Sequence, residues 1–407
     1  MPFGTNGTDR YIGINYDRMR KYRLARVRQI MEKYGYGTLI SWDAWNMRYM
    51  TGGFPTVPCR WSASMISVLC PDGEPLLSAT TSFDPDDLKK AMPWLREDRV
   101  TKYIGGGKLA FTKSGWQSFI DYMDKYIQAN GGKGKPVALD LPPAPVPLKE
   151  VFEERGYEVV IPTQAMHELR MIKNEDEIAC IRISAAIAEA AMADIAAGIH
   201  SCATENGLSS VGLRREYFMG SDEVLPVNIA SGPRTNPMHS DFTDRMLVCG
   251  DLVDVSVDAA TYCAYKTSLG RTFCVGKATQ AQKDAYAVAY DLMQKAISAI
   301  KPGNTTADIC AQWPSDPAFW GYDDIRACQH FAKGHGIGLI FQEAPYFSCA
   351  YNDATELKPG MVLALETWYG PRGADFGASL KETVLVTEKG CELITHYPSD
   401  KIIECMA

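Results

Sequence analysis

Three segments near the C-terminus carry most of the information on the fold: GHGIGLIFQEAP (334–345), PGMVLALETW (359–368) and GASLKETVLVTEKG (377–390). Each segment combines apolar residues typical of a buried strand with a residue that can do chemistry. His335 lies between two glycines, which let the backbone approach closely and leave the imidazole accessible. Glu366 and Glu382 lie on apolar strands, where an unpaired carboxylate is costly to bury. These three side chains therefore indicate a functional site.

A hairpin pattern upstream contributes a further acidic residue, Asp258. The segment DLVDVSVDAATYCAYKTSLGRTFCVG (251–276) alternates apolar and polar residues, which predicts two antiparallel strands. A single histidine is more often structural than functional, but three carboxylates on apolar strands change that balance for His335. Oxygen and nitrogen donors of this kind suit a hard or borderline divalent metal.

The length of the chain, 407 residues, exceeds what one ordinary core accommodates, so two domains are expected. Helical and strand patterns alternate through the first part of the sequence, which predicts an N-terminal α/β domain over 1–165. The pattern changes at 167–199, where Asn174 can cap a long alanine-rich helix. Thr279 is a second candidate cap, for a helix that ends before the KPG sequence. The chemically active residues therefore belong to a second domain, 166–407.

The composition is that of an ordinary globular protein and disfavours several functions. Apolar residues make up 46% and charged residues 22% of the chain, and the net charge is −7. A negative surface disfavours a nucleic-acid partner, because phosphate binding needs a basic surface. No apolar run approaches the roughly 20 residues of a membrane span, and the polar start is unlike a secretory signal. The 12 cysteines, scattered and without a CxxC pair, predict reduced thiols and a cytoplasmic location.

The order and spacing of these motifs resemble the pita-bread superfamily, which includes methionine and Xaa-Pro aminopeptidases, prolidases and creatinase. Besides the three C-terminal segments, the resemblance includes LRMIKNEDEI (169–178) and IKPGNTTADI (300–309). It implies an α/β (α+β) protein with a C-terminal pita-bread catalytic domain. It also implies an N-terminal domain of the creatinase/prolidase type, to which WNMRYMTGG (45–53) corresponds. Proteins of that branch form homodimers in which one N-terminal domain helps to close the active site of the other chain.

The metallopeptidases of this superfamily bind two metals through two Asp, one His and two Glu. Carried over by the resemblance, four of these ligands correspond to Asp258, His335, Glu366 and Glu382. The position of the second Asp is Ser268. Because a neutral serine is a poor bridging ligand, we expect at most one divalent metal (Fe, Mn or Zn) per chain, with no metal as the alternative.

Other residues near these motifs bear on which reaction the site could catalyse. Lys266 lies two residues before Ser268, hence on the same face of the predicted strand, and its ammonium could replace a missing ion. Gln342 and Glu343 stand where the peptidases have His-Glu before the proline, which weakens a peptidase function. Glutamates in a partly desolvated cleft have raised pKa values and can exchange protons near neutrality. The catalytic candidates are Glu343, Glu366, His335 and Lys266.

Two further stretches, SWDAWNMRYMTGG (41–53) and ASGPRTNP (230–237), resemble a branch of dimethylsulfoniopropionate lyases. They favour cleavage of a C–S, C–N or C–O bond in a small zwitterionic substrate, with β-elimination preferred. The alternatives are a metal-independent hydrolase of the creatinase type, a metal-dependent Xaa-Pro aminopeptidase or prolidase, and a non-catalytic binding protein. A tryptophan face can stack on an onium group, and an arginine can pair with a carboxylate. The substrate-binding candidates are Arg60, Trp61, Arg234, Gln342 and Trp368.

Overall fold

The computed structural model describes residues 13–53, 65–78, 85–101, 113–140, 146–238 and 241–407. The chain divides into two compact units, Asn15–Arg170 and a second unit that is formed by Met171–Ala407 together with Gly13 and Ile14. The boundary that the sequence predicts, after residue 165, falls inside the helix Thr163–Met171. Arg60 and Trp61, two of the substrate-binding candidates, lie outside the described residues.

The first unit contains a six-stranded sheet and its helices. The helices are α1 (Tyr16–Tyr34), α2 (Ala44–Thr51), α3 (Pro85–Ala91), α4 (Lys113–Ala129), α5 (Val146–Glu154) and α6 (Thr163–Met171), with a 3₁₀ turn at Glu97–Arg99. The strands are β1 (Thr38–Ser41), β2 (Ile66–Leu69), β3 (Leu76–Ser78), β4 (Val100–Thr101), β5 (Val137–Asp140) and β6 (Val159–Val160), in the order β4-β3-β2-β1-β5-β6. Phe119 and Ile120 of α4 pack with Ile40 and Val68 of the sheet. This mixed α/β unit confirms the predicted fold class.

The second unit is built on a larger sheet. Its helices are α7 (Glu175–Gly198), α8 (Glu205–Phe218), α9 (Gln280–Ser298) and α10 (Thr306–Cys310), with 3₁₀ turns at Gly232–Thr235, Pro317–Trp320 and Ile325–Cys328. Its strands are β7 (Asn228–Ser231), β8 (Leu252–Tyr262), β9 (Tyr265–Val275), β10 (Ala332–Gly336), β11 (Glu343–Ser348), β12 (Val362–Tyr369), β13 (Ala378–Val386), β14 (Cys391–Leu393) and β15 (Ile403–Cys405). The strand order is β11-β10-β12-β13-β9-β8-β7, with β14 beside β13 and β15 beside β9. No described helix of either unit has both the length and the apolar character that crossing a membrane requires.

Local sequence signals fix the longest helices and the central hairpin of the second unit. Asn174 caps α7, and Glu177 completes a capping box by bonding back to the cap residue. Thr279 and Gln282 form the same arrangement at the start of α9. Strands β8 and β9 are joined by Cys263–Ala264, whose φ angles of 53° and 64° are typical of a tight hairpin turn. The two predicted helices and the predicted hairpin are confirmed.

Side-chain alternation divides the strands of the large sheet between core and site. Leu269 of β9 belongs to the hydrophobic core beneath α7, and Leu365 of β12 and Leu380 of β13 belong to the core beneath α9. Successive residues of a strand point to opposite faces. Glu366 and Lys381, each next to one of these leucines, therefore point away from the α9 core.

Candidate active site

Strand register brings charged residues of three strands into one row. Glu366 of β12 lies opposite Lys333 of β10 on one side and opposite Lys381 of β13 on the other. Lys381 in turn lies opposite Gly270 of β9. Side chains of directly opposed residues project from the same face and are close enough to interact. The row therefore places two lysines beside one buried glutamate.

Asp258 is held by two donors from neighbouring strands. It lies opposite Ser268 in the β8–β9 hairpin, and the Ser268 hydroxyl donates to Asp258 Oδ1 at 2.6 Å. Lys381 Nζ donates to Asp258 Oδ2, also at 2.6 Å. Asp258 is 7% exposed and Lys381 is 4% exposed. Burial alone would lower the pKa of Lys381, but Asp258 and Glu366 raise it, so the ammonium remains charged.

Glu366 faces one histidine and two lysines. Its Oε1 lies 3.4 Å from His335 Nε2, and its Oε2 lies 3.4 Å from Lys333 Nζ and 3.5 Å from Lys381 Nζ. Burial alone would raise the pKa of Glu366, but the charge of Lys381, followed by that of Lys333, holds it well below its ordinary value. The carboxylate is therefore ionised at neutral pH.

His335 presents its Nε2 atom to Glu366 in a defined tautomer. Nδ1 lies 2.9 Å from the carbonyl oxygen of Gly336. A carbonyl oxygen only accepts hydrogen bonds, so Nδ1 carries the hydrogen and Nε2 of the neutral ring carries a lone pair. Nε2 is buried and makes no hydrogen bond with any residue that the structure describes. It is therefore positioned to accept a proton.

These residues form one group, which we call the Lys381 cluster: Asp258, Ser268, Lys333, His335, Glu366 and Lys381. The carboxylates of Asp258 and Glu366 carry two negative charges, and the ammonium groups of Lys333 and Lys381 carry two positive charges. With a neutral His335, the cluster is balanced without an added ion.

Two further acidic side chains lie near the Lys381 cluster. Glu216 of α8 is buried, and neither of its carboxyl oxygens makes a hydrogen bond within the described residues. Burial, followed by the charge of Asp258, raises the pKa of Glu216 to about 8. Burial also raises the pKa of Asp254, which accepts a hydrogen bond from Ser379. Both shifts favour the neutral form of the acid.

The residues of the Lys381 cluster do not fit the two-metal centre that the resemblance implies. Both carboxylate oxygens of Asp258 already accept hydrogen bonds, from Ser268 and from Lys381. The Lys381 ammonium also repels any cation placed between Asp258 and Glu366. Among the residues that the structure describes, no group of three or more His, Cys, Asp or Glu side chains is arranged to hold a metal ion.

Glu382, expected as a metal ligand, points to the other face of β13. It follows Lys381 directly and lies opposite Leu365. Its Oε1 lies 2.8 Å from Arg271 Nη2, and Thr395 donates to its Oε2. The structure therefore does not bring Glu382 to the Lys381 cluster, because neighbouring residues of a strand point to opposite faces.

Lys266, expected as a replacement cation, lies outside the Lys381 cluster. Its Nζ lies 3.0 Å from Glu223 Oε2 and donates to the carbonyl oxygen of Leu339 at 2.9 Å. The expected position of Lys266 among the carboxylates is therefore not the one that the structure shows. The lysine that stands among the carboxylates is Lys381, which comes from β13 rather than from β9.

Glu343, expected as an acid–base group, forms a buried ion pair with Lys173. Glu343 Oε1 lies 2.6 Å from Lys173 Nζ, with side chains 1% and 2% exposed. Gly338 leaves room for this pair, since a Cβ there would lie 2.6 Å from Glu343 Oε1 and 2.9 Å from Lys173 Cε. The carboxylate of Glu343 is thus committed to a structural contact with the segment that precedes α7.

The described substrate-binding candidates have structural contacts of their own. Arg234 donates to Glu205 and to the carbonyl oxygen of Asp241. Trp368 is buried, and its indole nitrogen donates to the carbonyl oxygen of Thr235 at 3.0 Å. Gln342 is exposed. None of these contacts involves the Lys381 cluster.

Sequence reasoning missed Lys381, Lys333 and Glu216. Lys333 lies two residues before His335, so its place on the same strand face was the available signal. Lys381 stands beside Glu382, and alternation allows only one of the two to face Glu366. The choice depends on the pairing of β12 with β13, which the sequence does not state. Nothing in the sequence around Glu216 distinguishes it from an ordinary helix residue.

Comparisons with known proteins show which sequences and folds this chain resembles. The sequence profile described as Metallopeptidase family M24 matches residues 179–388. An uncharacterized peptidase of Bacillus subtilis, YqhT, is 31% identical over 255 residues, which cover 60% of this chain and 68% of that protein. The dimethylsulfoniopropionate lyase DddP of Roseovarius nubinhibens is 25% identical over 408 residues, covering 94% of this chain and 87% of the lyase. A solved Xaa-Pro dipeptidase from Bacillus anthracis superimposes with a TM-score of 0.74 at 21% identity, covering 96% of this chain and all of that one, a likeness of fold alone.

Proposed function

The chain belongs to metallopeptidase family M24, a family of enzymes, and from that premise we propose that it is a lyase or hydrolase acting on a small non-peptide substrate. The preferred reaction is β-elimination, in which a C–S, C–N or C–O bond of a zwitterion is cleaved. The similarity to the lyase extends along nearly the whole chain, whereas the similarity to the Bacillus subtilis peptidase covers a smaller part of it.

The observation that carries this proposal is the position of the Lys381 ammonium, 2.6 Å from Asp258 and 3.5 Å from Glu366. A two-metal peptidase uses its ions to activate water and to polarise the substrate carbonyl. This site offers instead a histidine base and fixed ammonium groups. Such groups suit acid–base chemistry on a substrate that carries its own charges.

His335 is the residue best placed to move a proton. In the proposed elimination, Nε2 takes a proton from the substrate carbon, and the electron pair left behind forms a C=C bond. The C–S or C–N bond breaks as the C=C bond forms, and its electron pair leaves with a neutral sulfide or amine. Glu366 Oε1, 3.4 Å from Nε2, stabilises the imidazolium that forms. Lys333, whose side chain is 16% exposed, binds the substrate carboxylate. This assignment replaces the Glu343 base expected from the sequence.

The second candidate is a metal-independent hydrolase that uses the same base. It is favoured by the buried Nε2 of His335, which lacks a hydrogen-bond partner within the described part of the chain, because a water molecule bound there would be activated directly. The two reactions differ in their products. Elimination creates a C=C bond, visible by ultraviolet absorbance and proton NMR, whereas hydrolysis incorporates ¹⁸O from labelled water.

A substrate panel tests the proposal. β-Sulfonio- and β-ammoniopropionates should be assayed beside Xaa-Pro dipeptides, each with and without added Mn²⁺, Co²⁺ or Zn²⁺. We expect turnover of an onium substrate at a rate that a chelator does not change. Turnover of an Xaa-Pro dipeptide at an ordinary enzyme rate, at or above about 1 s⁻¹, would contradict the proposal.

A histidine pair provides the matched variants. His335→Asn should lower kcat on the substrate found by about a hundred-fold or more, because it removes the base while keeping a similar side-chain size. His396→Asn changes an exposed histidine of the same unit and should leave kcat unchanged. Equal kcat values for the two variants would remove His335 from the mechanism.

The homodimer and the cytoplasmic location remain predictions.

A further inference from the structure

We infer that Lys381 is the built-in cation of this enzyme: its ammonium takes the place of the divalent metal, and Gly270 provides the space in which its side chain lies. The inference concerns how the site is charged and does not depend on which bond the enzyme cleaves. Three independent features support it: the packing of the lysine stem, the hydrogen bonds of Asp258 and the alternation of β13.

The packing of Lys381 requires a glycine on the neighbouring strand. A Cβ atom at Gly270 would lie 2.6 Å from Cγ, 3.0 Å from Cβ and 3.1 Å from Cδ of Lys381. Such approaches are too short for carbon atoms, so any other residue at this position would displace the lysine. Gly270 lies inside β9 and its φ is outside the left-handed region. Its backbone therefore does not require glycine. The space that the aliphatic part of the Lys381 side chain occupies explains why this residue is a glycine.

The hydrogen bonds of Asp258 show that Ser268 and Lys381 act together on this carboxylate. In a two-metal centre, the position of Ser268 would supply a carboxylate and Asp258 would direct its own oxygens at the ions. Here Ser268 and Lys381 both donate to Asp258, one to each oxygen at 2.6 Å. A serine and a lysine thus each occupy one oxygen of the aspartate, and neither supplies the negative charge that a divalent ion needs.

The alternation of β13 explains how a single residue determines whether this strand brings a positive or a negative charge to the site. Lys381 lies opposite Glu366, and the next residue, Glu382, lies opposite Leu365 and pairs with Arg271 on the other face. The strand therefore presents one charged side chain to the site, and that side chain is a cation. Lys381→Glu would put a carboxylate at the same point, opposite Glu366 and near Asp258.

The test measures metal uptake and needs no substrate. The double variant Lys381→Glu/Ser268→Asp and the wild-type enzyme are treated with chelator, desalted and titrated with Mn²⁺ by calorimetry, with elemental analysis of the bound metal. We expect no saturable Mn²⁺ binding by the wild type. We expect the variant to gain a saturable site for at least one Mn²⁺ per chain, because two carboxylates replace an ammonium and a neutral hydroxyl.

The matched control is Lys266→Glu/Ser268→Asp, which makes the same change of charge at a buried lysine outside the Lys381 cluster. It should gain no Mn²⁺ site. The inference is overturned if the wild type binds stoichiometric Mn²⁺ in the micromolar range, or if the control gains as much affinity as the Lys381 variant.

A second variant keeps the test decisive if the double variant does not fold. Lys381→Met keeps the length of the side chain over Gly270 and removes only the charge. The carboxylates of Asp258 and Glu366 then lack the cation that Lys381 provides. Mn²⁺ should raise the Tm of Lys381→Met and leave the Tm of the wild type unchanged. An identical response of the two proteins to Mn²⁺ would also overturn the inference. Because each readout is metal binding, failure here is distinguishable from failure to find a lyase or hydrolase substrate.

Discussion

The substitution Lys381→Met should destabilise the folded protein strongly. The lysine side chain is 5% exposed, and the side chains of its partners Asp258 and Glu366 are 8% and 1% exposed. Removing one partner of a buried ion pair typically costs about 3–5 kcal/mol, because the remaining charge stays buried without compensation. Methionine fills nearly the same space over Gly270, so loss of packing adds little. We therefore expect a loss of about 3–5 kcal/mol in the free energy of unfolding at neutral pH.

Urea unfolding of the two proteins at several pH values measures this loss and its origin. In the wild type, Lys381 contributes to holding the pKa of Glu366 well below its ordinary value, against the effect of burial. A lowered folded-state pKa stabilises the protein above the unfolded-state pKa, about 4.3 for a glutamate, and this stabilisation disappears as the pH falls through the folded-state pKa. Lys381→Met loses this contribution. The difference between the two proteins should therefore be largest at neutral pH and shrink towards acid pH.

An exposed lysine provides the control for Lys381→Met. Lys277 pairs with Glu404, but its side chain is 88% exposed, so Lys277→Met should cost far less stability than Lys381→Met. Adding Glu366→Gln to Lys381→Met should recover part of the loss, since one of the two uncompensated charges is removed. The reasoning is refuted if Lys381→Met costs no more than Lys277→Met, or if its cost is the same at neutral and acid pH.

Two other buried carboxyl groups give further predictions. Burial raises the pKa of Glu216 from 4.5 to about 8, so the stability of the wild type should fall as pH rises between these values, by at most roughly 5 kcal/mol at about 1.4 kcal/mol per pKa unit. Glu216→Gln should remove that slope, and equal slopes in urea unfolding between pH 5 and pH 9 would contradict this account. Glu343→Gln should cost about 3–5 kcal/mol in the same assay because it leaves the Lys173 ammonium buried and unpaired. Most of this loss should return in Glu343→Gln/Lys173→Met, and a double variant no more stable than Glu343→Gln would contradict the pairing.

Much of the fold could be predicted because its signals are local. The N-cap residues Asn174 and Thr279 each bond within three residues of their own position, so the start of each helix is determined by nearby sequence. The same holds for the β8–β9 hairpin, whose strands alternate regularly on both sides of a two-residue turn. In each case the decisive contacts join residues that are close in the chain.

The composition of the site was harder to predict because it depends on strand register. His335, Glu366 and Asp258 come together as expected, since each stands on an apolar strand that must be buried. Glu382 was taken as the ligand because it is the acidic residue of LKETVLV. A difference of one position on a strand changes the face to which a side chain points. The observed pairing of β12 with β13 brings Lys381 to the site and turns Glu382 away from it.

The partner of Glu343 illustrates a second limit of sequence reasoning. Lys173 lies 170 positions earlier in the chain, and no local pattern connects the two residues. A carboxylate near a glycine-flanked histidine suggests chemistry when it is considered alone. The same carboxylate beside a buried ammonium is part of the framework. The distinction requires the tertiary contact, which is why Glu343 was predicted as an acid–base group and is found in an ion pair.

The sign of the charge at Lys381 has a physical consequence large enough to decide the chemistry of the whole site. A unit charge and a divalent ion about 4 Å apart interact by about 8 kcal/mol at an effective dielectric constant of about 20. Exchanging a carboxylate for an ammonium changes that interaction from attractive to repulsive, a difference of about 16 kcal/mol. Tight structural zinc sites bind their metal by about 10–16 kcal/mol in total. The charge of one lysine is therefore large enough to offset the affinity of a tight metal site, which supports the inference that Lys381 takes the place of the metal. In the proposed reaction, the imidazole of His335 and the carboxylate of Glu366, 3.4 Å apart, then serve proton transfer.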